Sequence, residues 1–370
     1  MAKKRAAVSM QRNLWLVVSF GVLLCVLALL RIHSHQSPPE LLRNPEPPFV
    51  GIPKIAFLFL ARGHLPLDFI WHCFFQNADV ERFSIYIHSA PGFVFNKATT
   101  RSPFFHGRQL NNSIQVAWGE SSMIKAERLL LGEALEDPAN QRFVLLSDSC
   151  VPLYNFSFTY KYLLSSSKSF VDSFLNTKES RYNPKMSPTI TQEKWRKGSQ
   201  WITLVREHAR VAVADDVIFP LFRKYCKRRP ALDIDKMKNM KPVVQKEHNC
   251  IPDEHYIQTL LSISKLDDEL ERRTLTYTAW NVSSTQMDRQ NWHPVTFKYA
   301  DASPHHINEI KNIGHVYYPT EYRNEWCKSN ATLVPCFLFA RKFSQGAAMR
   351  LLSEGLVGPF DAATLLTSSS

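Results

Sequence analysis

Lys54-Ile55-Ala56-Phe57-Leu58-Phe59-Leu60-Ala61 is an unbroken apolar run, too short for a typical helix and without the alternation of a half-exposed strand. It reads as a strand buried on both faces, as in a parallel sheet covered by helices. Working outward, Leu67 to Phe75 reads as helical and Phe83-Ser84-Ile85-Tyr86-Ile87-His88 as a second strand. Met123 to Ala134, with Ala126, Leu129, Leu130 and Leu131 on one face, reads as a helix. Phe143-Val144-Leu145-Leu146 is another buried strand, ending at Ser147-Asp148-Ser149. Strands alternating with helices predict an α/β fold with a mostly parallel sheet. Ligands of such sheets sit beyond the carboxyl ends of the strands, which places Arg62, His88, Ser89 and Asp148 at a candidate nucleotide site.

The 370 residues are 45% hydrophobic and 12% aromatic, the composition of a folded globular protein. The net charge of +12 is spread out, densest from Arg223 to Lys241. No nucleic-acid motif accompanies that stretch, so a solvated loop is its default reading and nucleic acid is not an expected partner. Leu14 to Leu30 is uncharged and apolar, preceded by Lys3, Lys4, Arg5 and Arg12. Seventeen residues rise roughly 25 Å as a helix, enough for a thin bilayer. The basic flank favours a cytosolic N-terminus. A cleaved signal peptide competes with this reading, but no small-x-small site follows Leu30. The expected layout is a cytosolic tail (1–13), a signal anchor (14–30), a proline-rich stem (31–53) and a luminal domain (54–370). Cys73, Cys150, Cys226, Cys250, Cys327 and Cys336 follow the span, allowing up to three disulfides of unspecified pairing. The sequons at Asn111, Asn155, Asn281 and Asn330 fit a secretory-pathway glycoprotein.

Chemistry concentrates in Asn249-Cys250-Ile251-Pro252-Asp253-Glu254-His255-Tyr256. Proline with two acids at the mouth of a helical pattern is a helix start, in which Asp253 caps and Glu254 favours the dipole. Phosphate-binding glycine fingerprints are absent. Asp233-Ile234-Asp235 lies in the basic stretch after Pro230, away from any strand end, so no metal site is expected there. Asp148 is the only acid at the proper strand end. A bound diphosphate would therefore need cationic side chains in place of a metal. Near the end of Pro335 to Phe343 stands such a pair, Arg341-Lys342, although on the residues alone a strand ending at the surface with solvated cations is the favoured reading. Trp195-Arg196-Lys197-Gly198-Ser199-Gln200-Trp201 and Trp280 offer rings and polar groups that could bind sugars, against an equal claim for core packing.

In order, these segments resemble the core-2/I-branching N-acetylglucosaminyltransferase family, glycosyltransferase family 14, and its plant branch in particular. The resemblance is carried by Lys54–Ala61, Ser84–Gly92, Val116–Leu131 and Phe143–Phe156. Farther on it rests on Arg181-Tyr182-Asn183-Pro184, Trp195–Trp201, Cys250–Leu260, Tyr277–Asn281, His293–Phe297 and Phe339–Phe343. It implies a GT-A-type fold, a UDP-sugar donor, inverting transfer without a divalent metal or other cofactor, and a Golgi membrane location with the body luminal. It implies Glu254 as general base, Lys342 with Arg341 on the diphosphate, and Trp280 on the acceptor side. Arg62, His88 and Asp148 complete the expected donor site; Lys197, Trp201 and Arg181 complete the acceptor side. Ser89 stands where animal members have an acidic residue, and no arginine matches the family's second diphosphate ligand near His293-Pro294. N-acetylglucosamine is the expected cargo and a glycan, glycoprotein or cell-wall polymer the acceptor. A glucuronosyltransferase and a catalytically silent glycan-binding member are the alternatives.

Overall fold

The computed structural model describes residue 21 and residues 48–176, 181–228, 249–280, 294–329 and 332–357. Pro48 onward forms one compact unit. The strands used below are β1 (Lys54–Leu60), β2 (Phe83–His88), β3 (Asn140–Ser147), β4 (Val151–Pro152), β5 (Ser169–Phe170), β6 (Thr203–Val205), β7 (Leu270–Glu271), β8 (Thr276–Thr278) and β9 (Phe339–Arg341). The helices used below are α1 (Asp68–Phe75), α2 (Ser122–Leu135), α3 (Phe156–Ser165), α4 (Arg206–Ala214), α5 (Ile218–Tyr225) and α6 (Tyr256–Ile263).

The central sheet runs β2-β1-β3-β6-β5-β7. β2, β1 and β3 are parallel and end in step, Leu60 opposite both His88 and Ser147. β6 is antiparallel to β3 and β5, whereas β5 and β7 are parallel, so three of five pairings are parallel. The unbroken apolar run of β1 has a simple cause. Ile55, Phe57 and Phe59 enter an aromatic core with Trp71, Phe74, Phe75 and Phe156 from α1 and α3. Ala56 and Leu58 enter a second core on the opposite face, with Ile124, Leu130 and Leu131 of α2 and Leu260 of α6. Side chains alternate faces along a strand, and here both faces are dry.

A smaller sheet, β8-β9-β4, carries Arg341 back toward the β3 end, and the Phe343 amide donates to the Ser149 carbonyl at 3.0 Å. Disulfides join Cys226 to Cys250 and Cys327 to Cys336, leaving Cys73 and Cys150 as thiols. Among the described residues no helix is long and apolar enough to cross a membrane. Apart from Gly21, the expected anchor at 14–30 lies outside them, as do residues 31–47, Asp233, Asp235, Asn281, His293 and Asn330.

Candidate active site

Pro252–Glu254 forms a single 3-10 turn, and α6 begins only at Tyr256. This corrects the expected cap. His255 occupies the N-cap position with φ −132°, and no side chain caps the helix. Asp253 instead turns inward, only 6% exposed, and its Oδ1 has no hydrogen-bond partner among the described residues. The turn is pinned from below. His255 stacks on Trp195 with centroids 4.5 Å apart and bonds through Nδ1 to the Arg196 carbonyl at 2.7 Å. Burial holds the His255 pKa well below its usual value, so the ring is neutral. Trp195 is therefore a core residue, 1% exposed, and not a sugar platform. The Glu254 carbonyl accepts from the Gly198 amide at 2.9 Å.

That pinning turns the Glu254 side chain into a cleft of about 1550 Å³ at the carboxyl edge of the parallel strands. Its carboxylate accepts from Arg181 Nη1 at 2.6 Å, with the two side chains 27% and 16% exposed. Arg181, expected on the acceptor side, is thus the partner of the expected base. Across the cleft, Arg62 Nε meets Asp148 Oδ2 at 3.1 Å, the arginine side chain 92% exposed. So exposed a pair contributes little stability and can rearrange around a ligand. Lys342 and Arg341 complete the cluster. Burial, then the neighbouring Arg341 and Arg62 charges, lower the Lys342 pKa, while Asp148 opposes the shift. The mutual repulsion shows that the three cations share one region, with Asp148 near Lys342 and both Asp148 and Asp253 near Arg341.

Arg341 does not end in solvent. Its guanidinium lies 4.3 Å over the Trp201 ring, and burial lowers its pKa. Trp201, 6% exposed, supports that cation and presents little face to a sugar. His88 is also committed: its Nε2 accepts from the Ile114 amide at 3.1 Å, tying the following loop to the β2 end, and burial lowers its pKa. Trp280, 51% exposed, and Lys197 line the opposite wall. All ten residues expected at the donor, acceptor and catalytic positions thus border one cleft. Exposed Asn111 and Asn155 lie outside it, Asn155 capping α3 by accepting from the Phe158 amide at 2.9 Å.

Two acids in or behind the wall were not singled out in the sequence. Asp172 accepts from the Ser199 amide at 2.9 Å and from the Tyr318 hydroxyl. Glu127 of α2, 3% exposed, accepts from Gln200 Nε2 at 2.7 Å. Each lies in or beside an element whose pattern reads as ordinary packing. The one available signal was the polar Gly198-Ser199-Gln200 segment between two tryptophans. Among the described residues no group of three or more His, Cys, Asp or Glu side chains could hold a metal ion.

Residues 55–311 match the core-2/I-branching enzyme family. The chain is also 54% identical over 329 residues to a protein named glycosyltransferase BC10 from Oryza sativa subsp. japonica, covering 88% of this chain and 82% of that relative.

Proposed function

This chain belongs to the core-2/I-branching enzyme family and is a glycosyltransferase; from that premise we propose an inverting, metal-independent transfer from a UDP-sugar to a glycan hydroxyl, with N-acetylglucosamine as the cargo. The observation that carries the reading is one cleft lined both by Glu254 and by the cations Arg62, Arg341 and Lys342 with Asp148. The fold is read as GT-A-type and the chain as anchored in the Golgi membrane with its body in the lumen. The described mixed α/β architecture fits the first of these.

The donor's diphosphate rests against Arg341, Lys342 and Arg62, its anomeric carbon turned toward Glu254. Glu254 takes the proton of the acceptor hydroxyl as that oxygen attacks the anomeric carbon from the face opposite UDP. The bond between the anomeric carbon and the phosphate oxygen breaks, and UDP leaves with its electron pair. The growing negative charge on UDP is met by fixed cations in place of a metal. Trp201 holds the Arg341 guanidinium through its ring face, and Arg181 holds the Glu254 carboxylate in orientation. Exposed Trp280 offers its ring to the acceptor sugar.

Replacing Glu254 by Gln tests this. Transfer should fall roughly 10²- to 10⁴-fold, while UDP affinity by calorimetry stays close to that of the wild type. A Glu254→Gln protein that binds UDP and still transfers sugar would overturn the base assignment. Full activity in chelator is expected, and strict dependence on manganese would sink the metal-free mechanism.

A further inference from the structure

Asp253 occupies an unusual position beside the expected base. It is buried, its Oδ1 is unpartnered among the described residues, and it sits on the same turn as Glu254. Behind it, α2 packs against that turn and brings up Glu127, also buried. Three charged groups act on Asp253, namely Glu254 from the same turn, Arg341 from β9 and Arg181, the partner of Glu254, and Asp253 in turn acts on Glu127. Gln200 satisfies one Glu127 oxygen and itself lines the cleft.

We propose that Asp253, backed by Glu127, is a positioning residue that serves the reaction as a neutral acid, leaving the Arg341 guanidinium to the donor's diphosphate. The inference rests on the donor site proposed above and concerns which protonation state of the wall that site requires. Two buried acids side by side cannot both ionise without a large desolvation and repulsion cost. Burial, then the Glu254 charge, raises the Asp253 pKa to about 7. Burial, then the Asp253 charge, raises the Glu127 pKa well above its usual value. Near neutrality Glu127 is therefore protonated and Asp253 is the group that titrates. Below that point Asp253 is uncharged and Arg341 meets the diphosphate with its charge intact. Above it, ionised Asp253 attracts Arg341 and repels an incoming anion, so donor binding must take up a proton.

Calorimetric titration of the full chain with UDP, from about pH 5.5 to about pH 8.5, tests the coupling. The affinity of the wild type relative to Asp253→Asn should fall roughly threefold to tenfold as the pH rises through neutrality. Protonation of UDP itself is common to both proteins and drops out of the ratio. Glu127→Gln, which replaces a protonated acid by an isosteric amide, should keep the wild-type curve. Proton uptake gives a second readout: titration in two buffers of different ionisation enthalpy at about pH 7.5 should show more net uptake by the wild type than by Asp253→Asn, the UDP and Lys342 contributions being common to both. Parallel affinity curves for wild type and Asp253→Asn, or equal uptake by the two, would overturn the Asp253 assignment and leave the donor site standing. Failure of the wild type to bind UDP at any pH would remove the donor site, and the inference with it.

Discussion

A carboxyl whose proton is held more tightly in the folded state weakens folding as the pH rises. For Asp253 the ordinary value is 3.8 and the folded one about 7. Folding stability is then fully present below about pH 4, declines between about pH 4 and 7, and stays reduced above. Asp253→Asn removes the titration, so the variant should melt above the wild type at pH 8 and converge with it near pH 4. The difference at pH 8 should be roughly 4 kcal/mol, since each tenfold change in proton affinity on folding is worth about 1.4 kcal/mol and the shift from 3.8 to about 7 is about three such steps. Thermal melts of both proteins at the two pH values check this; equal melting temperatures at pH 8 would mean that Asp253 ionises freely. On the opposite wall, Lys342→Gln should weaken UDP binding by about tenfold to a hundredfold without altering the melt, because the half-exposed ammonium contributes charge more than packing. Nothing in the string Pro-Asp-Glu distinguishes a capping aspartate from a buried one. The distinction depends on packing by α2, a helix more than a hundred positions earlier that reads locally as an ordinary amphipathic one.

The elements most legible in the sequence are β1, β2, β3, α1 and α2, because each is long enough to express its period. β5, β6 and β7 are two or three residues long and too short to express any period, so the antiparallel half of the sheet could not be read ahead. The strand that carries the Arg341 cation was legible as an apolar run, but its burial depended on Trp201 from a distant segment. Gly198 shows how closely such segments fit. An alanine Cβ there would lie 1.7 Å from the Asp172 carbonyl oxygen, so one backbone must move. That movement strains both the Gly198 amide bond to the Glu254 carbonyl and the Ser199 amide bond to Asp172. Gly198→Ala should therefore destabilise the protein by about 2–3 kcal/mol or more and depress transfer further than the melt alone explains. An Ala variant with wild-type melting and turnover would show that the contact relaxes freely. The Cys226–Cys250 disulfide acts on the same turn, ending two residues before Pro252.

At the scale of the whole chain, the body is tied down just before the first strand: the Tyr160 hydroxyl donates to the Pro53 carbonyl at 2.8 Å, and Lys54 enters the sheet. Two disulfides in this body fit an oxidising compartment, since such bonds are rare where glutathione keeps thiols reduced. If the apolar run 14–30 is an uncleaved anchor, the body is luminal and the basic residues before the run are cytosolic. The full chain should then sediment with membranes and resist alkaline carbonate extraction, its body protected from added protease until detergent is present. Removal of residues 1–47 should release the body, keep both disulfides by mass and retain UDP binding, because the contacts that line the cleft begin beyond Pro48. Exposed Asn111 and Asn155 add an independent reporter, since glycans there would lower mobility until removed by glycosidase. Extraction of the full chain by carbonate would refute the anchor, and cleavage of the body without detergent would refute the orientation. The orientation matters for the chemistry too: only a luminal cleft would meet glycan acceptors together with the oxidised Cys226–Cys250 bond that braces its expected base.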